Sequence, residues 1–387
     1  MKTLSESSIV YLDNHATTRP DPRVLEAMRP YFEEKYGNAA SRSHLVGWDA
    51  EDGIEAAREQ VARGIGAKTE DIVFTSGATE SNNLAIKGLA FANRSKKNHL
   101  VTSSVEHRSV LDVVKRLARE GFAATIVRPN EYGEVSVESI ERALTDQTLL
   151  VSVMAANNEV GAINPIKEIG AICRARGVFL HVDATQAVGK IPLDVEESSI
   201  DLLSLTGHKI YGPKGIGALY VRRREPAPRL VPLFDGGGQE RGLRPGTVAV
   251  PLAVGLGFAI ELALRERREE SRRVLELRER LHAGLVGRIA GVRLNGSPRD
   301  RLPGNLNVSF EATDGESLGG LLREVAASAG SACSSLDPEP SHVLRAIGLD
   351  EDLARASLRF GVGRFNTREE IDRAVEAVAR AVEASRR

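Results

Sequence analysis

Several side chains suited to chemistry stand at the ends of apolar runs in this 387-residue sequence. Lys209 follows a β-rich run that ends at Leu205, within Thr206-Gly207-His208-Lys209-Ile210-Tyr211-Gly212. Most lysines are solvated, but one set between an apolar strand and glycines can lose hydration and hold its proton less tightly. Such an amine suits Schiff-base chemistry. Lys214 is a rival a few residues on, and spacing alone does not choose between the two. Asp183 ends the run Phe179–Val182, with Gln186 three residues later. A carboxylate at a strand end can hold a protonated ring nitrogen, a metal or a ribose, and it can equally cap a helix. His181, inside the apolar run, reads as a satisfied core histidine.

Thr75-Ser76-Gly77-Ala78-Thr79-Glu80 joins a strand to a helix. Free N–H groups at a helix start favour a phosphate, although an ordinary helix cap explains Ser76 and Thr79 as well. Gly236-Gly237-Gly238-Gln239-Glu240-Arg241 and Arg244-Pro245-Gly246-Thr247 form a second glycine-rich stretch. It lacks the Gly-Lys-Ser/Thr ending of a nucleotide P-loop. Of the two cysteines, Cys173 sits beside Ile169 and Ile172 on a helical stretch and reads as core packing. Cys333 stands in Ser328-Ala329-Gly330-Ser331-Ala332-Cys333-Ser334-Ser335, a run of small and polar residues. It is either a reactive thiol or an incidental surface cysteine.

The elements that must position these groups alternate. Strands are expected at Ile72–Thr75, His99–Ser103, Ala124–Val127, Leu149–Met154, Phe179–Val182, Leu202–Leu205 and Ala218–Val221, with amphipathic helices such as Asn83–Ala92, Ser109–Glu120 and Ile166–Arg176 between them. This pattern specifies an α/β fold with a mostly parallel sheet of seven strands, covered by helices on both faces. An apolar stretch, Val248–Leu264, reads as a buried helix. A charged helix from Glu261 to Arg288, with Leu275, Leu281 and Leu285 facing inward, leads into a smaller α+β unit. That unit holds a strand at Asn305–Phe310 and helices at Gly315–Arg323 and Arg368–Ala384. The expected boundaries are 19–262 for the large domain, and 1–18 with 263–387 for the small one that carries the Cys333 loop.

Composition excludes several classes. An apolar share of 42% supports a sizeable core. Lys+Arg 52 against Asp+Glu 53 leaves a net charge of -1, without the basic excess of a general nucleic-acid binder. The polar start, Met1 to Ser8, lacks the apolar core of a signal peptide. The Val248–Leu264 stretch contains Pro251 and Glu261 and is too short for a comfortable membrane span. Two cysteines build no disulfide framework, so a cytoplasmic, reducing setting is expected.

The ordered set of segments resembles the cysteine desulfurases, a branch of the class-V aminotransferases within the fold-type I pyridoxal phosphate (PLP) enzymes. The matching pieces are Tyr11-Leu12-Asp13 with Ala16-Thr17-Thr18, Phe74 to Ser81, Glu106-His107, Asn157-Asn158-Glu159, His181 to Gln186, Gly207 to Gly215, the triple-glycine loop, and Gly330-Ser331-Ala332-Cys333. Each alone is weak, but together they run in family order to Arg359. Departures include His15 before Ala-Thr-Thr, Ala39 after Gly-Asn, and Thr206 where serine is common. The chain also stops at Arg387 without the longer tail some relatives use to meet a scaffold.

The resemblance implies that Lys209 holds PLP, that Asp183 pairs with the pyridine nitrogen, that Gln186 reaches the ring hydroxyl and that His107 stacks on the ring. It assigns the phosphate to Ala78, Thr79, Thr206 and His208, helped by Thr247 from a partner subunit, which implies a homodimer with shared sites. Asn158 and Arg359 would take the carboxylate of L-cysteine, assisted by Asn38. Cys333 would receive the sulfur as a persulfide and pass it to an iron–sulfur scaffold or another acceptor protein. No resident metal is expected, beyond a transient encounter of Cys333 with an iron–sulfur cluster. The alternatives are a selenocysteine lyase, another PLP enzyme of the same fold, or a non-enzymatic scaffold.

Overall fold

In a computed structural model, residues 9–223, 225–329 and 340–386 are described. The first strand, β1 (Val10–Tyr11), precedes the strands of the large sheet. These are β2 (Ile72–Thr75), β3 (His99–Ser103), β4 (Ala123–Val127), β5 (Thr148–Met154), β6 (Phe179–Asp183), β7 (Leu202–Thr206) and β8 (Gly217–Val221). Then follow β9 (Val292–Leu294), β10 (Asn305–Phe310), β11 (Val325–Ala326), β12 (Ser328–Ala329) and β13 (Ser357–Gly361).

The large sheet has the order β2-β8-β7-β6-β5-β3-β4. Its strands pair in parallel except for β8, which runs antiparallel to both neighbours. Strands β2, β3, β5, β6 and β7 therefore present their carboxyl ends on one side, where ligands gather in open α/β sheets. Central strands are buried on every residue, as expected of a sheet covered on both faces. The β4 edge is largely exposed. The β2 edge is closed by Glu240, which accepts from the Phe74 N–H at 2.7 Å and is held by a buried ion pair to Arg58. Glu240 and Arg241 have φ of 46° and 58°, a left-handed turn that brings the glycine-rich loop against this edge.

The expected elements match to within a few residues, with two instructive differences. The Val248–Leu264 and Glu261–Arg288 stretches are one helix of 39 residues, Val250–Arg288, running unbroken past residues 262 and 263. Pro251 fits because the first turn needs no intrahelical N–H donor there. Leu275, expected inward, is 39% exposed, while Val274, Leu277, Leu281 and Leu285 are buried. The inward face follows the helical repeat from Val274 rather than the neighbouring leucine.

A second sheet has the order β12-β13-β10-β9, and its apolar core includes Val274, Leu277, Leu281, Phe310 and Phe360. Strand β1 pairs in parallel with β11, so the N-terminal segment joins this region before crossing to the large sheet.

Candidate active site

At the carboxyl edge of the large sheet lies a cavity of about 620 Å³, within the ~300–1,000 Å³ range of small-molecule sites. Strand β7 ends at Thr206 and turns at once into a short 3-10 helix, Gly207–Lys209, which delivers Lys209 to the cavity. The Lys209 ammonium donates to the carbonyl oxygens of His15 and Ala16, at 2.7 and 2.6 Å. Those carbonyls belong to the N-terminal segment, which is laced down by Thr18 N–H to His208 O and by Tyr211 N–H to Thr18 Oγ1. Lys214 also lines the cavity but is exposed.

Asp183, the last residue of β6, is buried at the cavity wall. Its Oδ1 accepts from the Thr185 N–H at 3.0 Å and its Oδ2 from Asn82 Nδ2 at 2.8 Å. His107 caps the helix Arg108–Arg119 through its Nδ1, which accepts from the Ser109 N–H at 3.1 Å. Burial pushes the His107 imidazole below its ordinary range, with Asp183 pulling it back up. Gln186 Nε2 donates to His15 O at 2.9 Å, and Gln186 Oε1 accepts from Lys190 Nζ at 2.8 Å. Burial, reinforced by the Lys209 charge, lowers Lys190 to about 7. His181 is the core histidine expected, fully buried between Ser152 and Ser204 hydroxyls. Cys173 is buried as expected, and burial raises its thiol to about 12.

At the other end of the cavity the helix Ala78–Asn93 begins after Gly77, with no side chain capping its first turn. Gly77 has φ 154°, and a side chain on facing Gly217 would stand 2.7 Å from Gly77 Cα. The two glycines let β8 and the helix start pack closely while the first N–H groups face the cavity. Ala78, Thr79, Thr206 and His208 line this end. Thr206 Oγ1 donates to the Ile216 carbonyl at 3.0 Å, and His208 Nδ1 lies 3.1 Å from Thr17 Oγ1. Burial and then the charges of Lys209, Lys214 and Lys190 hold His208 down to about 4.

Arg359 reaches the cavity from β13 of the second sheet and is buried. Its guanidinium donates to Asn158 O at 3.1 Å and to Asp13 Oδ1 and Ser328 Oγ, both at 2.8 Å. Its Nε is buried without a partner among the described residues, as are His15 Nε2 and Thr185 Oγ1.

One cavity therefore brings together Lys209, His107, Ala78, Thr79, Asn158, Asp183, Gln186, Thr206, His208 and Arg359. Asn38 and Thr247 do not line it within a single chain, and both are exposed. Cys333 lies outside the described residues. Lys190, Asn82 and Ser109 were missed by the sequence reading; only the polar Ser81-Asn82-Asn83 run inside an apolar helix hinted at the second.

These residues fit PLP. An uncapped helix start suits a phosphate, a strand-end carboxylate suits a ring nitrogen, and a lysine lines the same cavity. The orphaned Thr185 hydroxyl and Arg359 Nε leave polar atoms for a ligand to satisfy. Among the described residues no cluster of His, Cys, Asp and Glu could hold a metal, and no helix is long and apolar enough to cross a membrane.

The chain belongs to the class-V aminotransferase family, whose model matches residues 10–374, and within it to the cysteine desulfurases. Cysteine desulfurase IscS of Rickettsia akari (strain Hartford) is 53% identical over 378 residues, covering 98% of this chain and 92% of the relative. Cysteine desulfurase IscS of Anaeromyxobacter dehalogenans (strain 2CP-C) is 56% identical over 366 residues, covering 95% and 90%. A solved NifS-like protein superposes with a TM-score of 0.90 at 38% identity, over 97% of this chain and 100% of that one. The structure titled SspA in complex with cysteine gives 0.81 at 39% identity, over 92% and 99%.

Proposed function

We propose that this chain withdraws sulfur from L-cysteine, leaving L-alanine and a persulfide on Cys333, with PLP held by Lys209. The observation that carries the reading is the convergence of Lys209, Asp183, His107 and Arg359 on one cavity beside an uncapped helix start. Kinship with relatives named cysteine desulfurase supports the choice of substrate.

Bound here, PLP would supply an electron sink for the pair released when the substrate Cα–H bond breaks. The chain's own groups divide the remaining work. Asp183, fixed by two donors, offers a negative carboxylate for the ring nitrogen. Ala78, Thr79 and His208 hold the phosphate at the helix start, where N–H groups and the helix dipole favour an anion. Gln186, braced by His15 and Lys190, meets the ring hydroxyl. Arg359, with Asn158, takes the substrate carboxylate, a planar anion suited to a guanidinium fork. Lys209 Nζ, as the free amine, takes the Cα proton. Cys333 Sγ, as thiolate, attacks the substrate sulfur, so that an S–S bond forms as the C–S bond breaks.

Thr247 would complete the phosphate site of a second subunit, making the active form a homodimer. Asn38 would assist at the substrate. The sulfur acceptor would be an iron–sulfur scaffold or similar protein, in a cytoplasmic, reducing setting that keeps Cys333 as a thiol.

Purified protein should be yellow from the bound cofactor, and Lys209→Ala should lose that visible band. An unchanged spectrum would reject Lys209 as the anchor.

A further inference from the structure

Asn82 is fully buried on the helix Ala78–Asn93, four residues in from the phosphate end of the cavity. Its Nδ2 donates two hydrogen bonds, to Asp183 Oδ2 and to Ser109 Oγ, both at 2.8 Å. Its Oδ1 is buried without a partner among the described residues. The alternative amide orientation would set Oδ1 against the Asp183 carboxylate, so charge fixes the nitrogen on that side. An apolar residue here would avoid the orphaned oxygen, which costs stability. The amide is therefore not explained by packing.

Its second bond sets the direction of a chain. Ser109 Oγ already accepts from Asn82, so its own hydrogen is available to His107 Nδ1, 2.8 Å away. The Ser109 N–H donates to the same nitrogen. With two donors aimed at it, Nδ1 must be the unprotonated acceptor, and a neutral His107 carries its hydrogen on Nε2. One buried amide thus holds both Asp183 and, through one hydroxyl, His107.

We propose that Asn82 is a positioning residue that orients Asp183 towards the cofactor ring nitrogen and, by donating to Ser109 Oγ, turns that hydroxyl's hydrogen onto His107 Nδ1 as a second donor beside the Ser109 N–H. This rests on the PLP reading for its first half only; the tautomer is a property of the chain alone. Substituting Asn82→Asp keeps the shape but reverses the polarity. The new carboxylate accepts from the Ser109 hydroxyl, turning its hydrogen away from His107, and stands against Asp183 as a like charge.

The test compares the parent, Asn82→Asp, Asn82→Leu and Ser109→Ala, full chain throughout. Nitrogen-15 NMR of the histidine side chains, with His107 assigned by His107→Gln, reads the tautomer without cofactor. PLP titration then reads the dissociation constant. The parent should show His107 protonated on Nε2, and Asn82→Asp, which leaves only the Ser109 N–H on Nδ1, should shift the Nδ1 resonance towards that of a more weakly bonded acceptor. Asn82→Asp and Asn82→Leu should each weaken PLP binding about tenfold or more, as expected for losing one hydrogen bond to a charged group. Should Asn82→Asp fail to fold, Ser109→Ala carries the His107 test, with the same shift of the Nδ1 resonance expected because the hydroxyl donor is gone and the backbone N–H remains. A parent His107 protonated on Nδ1, or variants that match the parent in both the Nδ1 resonance and PLP affinity, would overturn the proposal. A parent with the expected tautomer and no PLP binding would instead sink the functional reading.

Discussion

Arg359 and Asp13 are 346 residues apart in sequence, yet the guanidinium of one lies 2.8 Å from the carboxylate of the other. Ser328 Oγ shares both partners, donating to Asp13 Oδ1 and accepting from Arg359, each at 2.8 Å. Strand β13 thus offers its arginine to the large-sheet cavity already oriented, with Nε unpaired among the described residues. Lysine at this place has a single point of charge and cannot serve Asn158 O, Asp13 and a substrate carboxylate together. Arg359→Lys should lower kcat/KM for cysteine roughly 10- to 100-fold, mainly through KM, matching ~1.5–3 kcal/mol for charged hydrogen bonds. Steady-state kinetics checks this; an unchanged KM would remove Arg359 from the substrate site.

Asp183 tests the electron-sink argument. Asp183→Asn keeps the shape but removes the charge facing the ring nitrogen. Turnover should fall at least ~100-fold, about 3 kcal/mol, while Lys209 still retains the cofactor. Activity within a fewfold of the parent would show that another group serves the ring nitrogen.

Glu106 makes a prediction about stability. It is fully buried, and burial, partly offset by bonds from Ser103 and the Met154 backbone and reinforced by the Asp183 charge, raises its carboxyl to about 8. The fold holds its proton where the unfolded chain releases it. Its contribution is therefore full below the ordinary glutamate range, and it declines as pH rises from there to about 8. Glu106→Gln has no proton to lose. Its stability relative to the parent should grow by a few kcal/mol between pH 5 and pH 8, at ~1.4 kcal/mol per pKa unit. Urea unfolding of the cofactor-free chains reads this, and a difference that does not change with pH would contradict it.

The role proposed for Thr247 across a dimer predicts shared sites. Mixing an inactive Lys209→Ala chain with a crippled Thr247→Ala chain should restore activity, because one site of the mixed dimer then has both residues intact. Activity no greater than the sum of the separate variants would argue that each chain works alone.

Much of this site was legible because parallel-sheet strands are short apolar runs and their carboxyl ends are marked by polar residues. Asp183, Lys209 and the Gly77 turn were visible on that ground. Spacing alone did not choose Lys209 over Lys214, since both follow the same strand; the resemblance carried by Gly207 to Gly215 favoured Lys209, which in the fold donates to the carbonyls of His15 and Ala16. Leu275 misled because adjacent residues on a helix, here Val274 and Leu275, differ in facing by about 100 degrees, and no partner surface is visible in sequence. Asn82 and Ser109 escaped because a polar residue within an amphipathic helix normally reads as solvated. Their partners come from β6 and another helix, so only the fold brings them together.

The most direct measurement is to incubate the purified protein with L-cysteine and map its cysteines by mass spectrometry while assaying alanine. The account predicts alanine formation with the mass of one added sulfur on Cys333, none on buried Cys173, and loss of both products in Cys333→Ser, which should still bind PLP. Alanine formed at the parent rate by Cys333→Ser, or added sulfur on a residue other than Cys333, would contradict it.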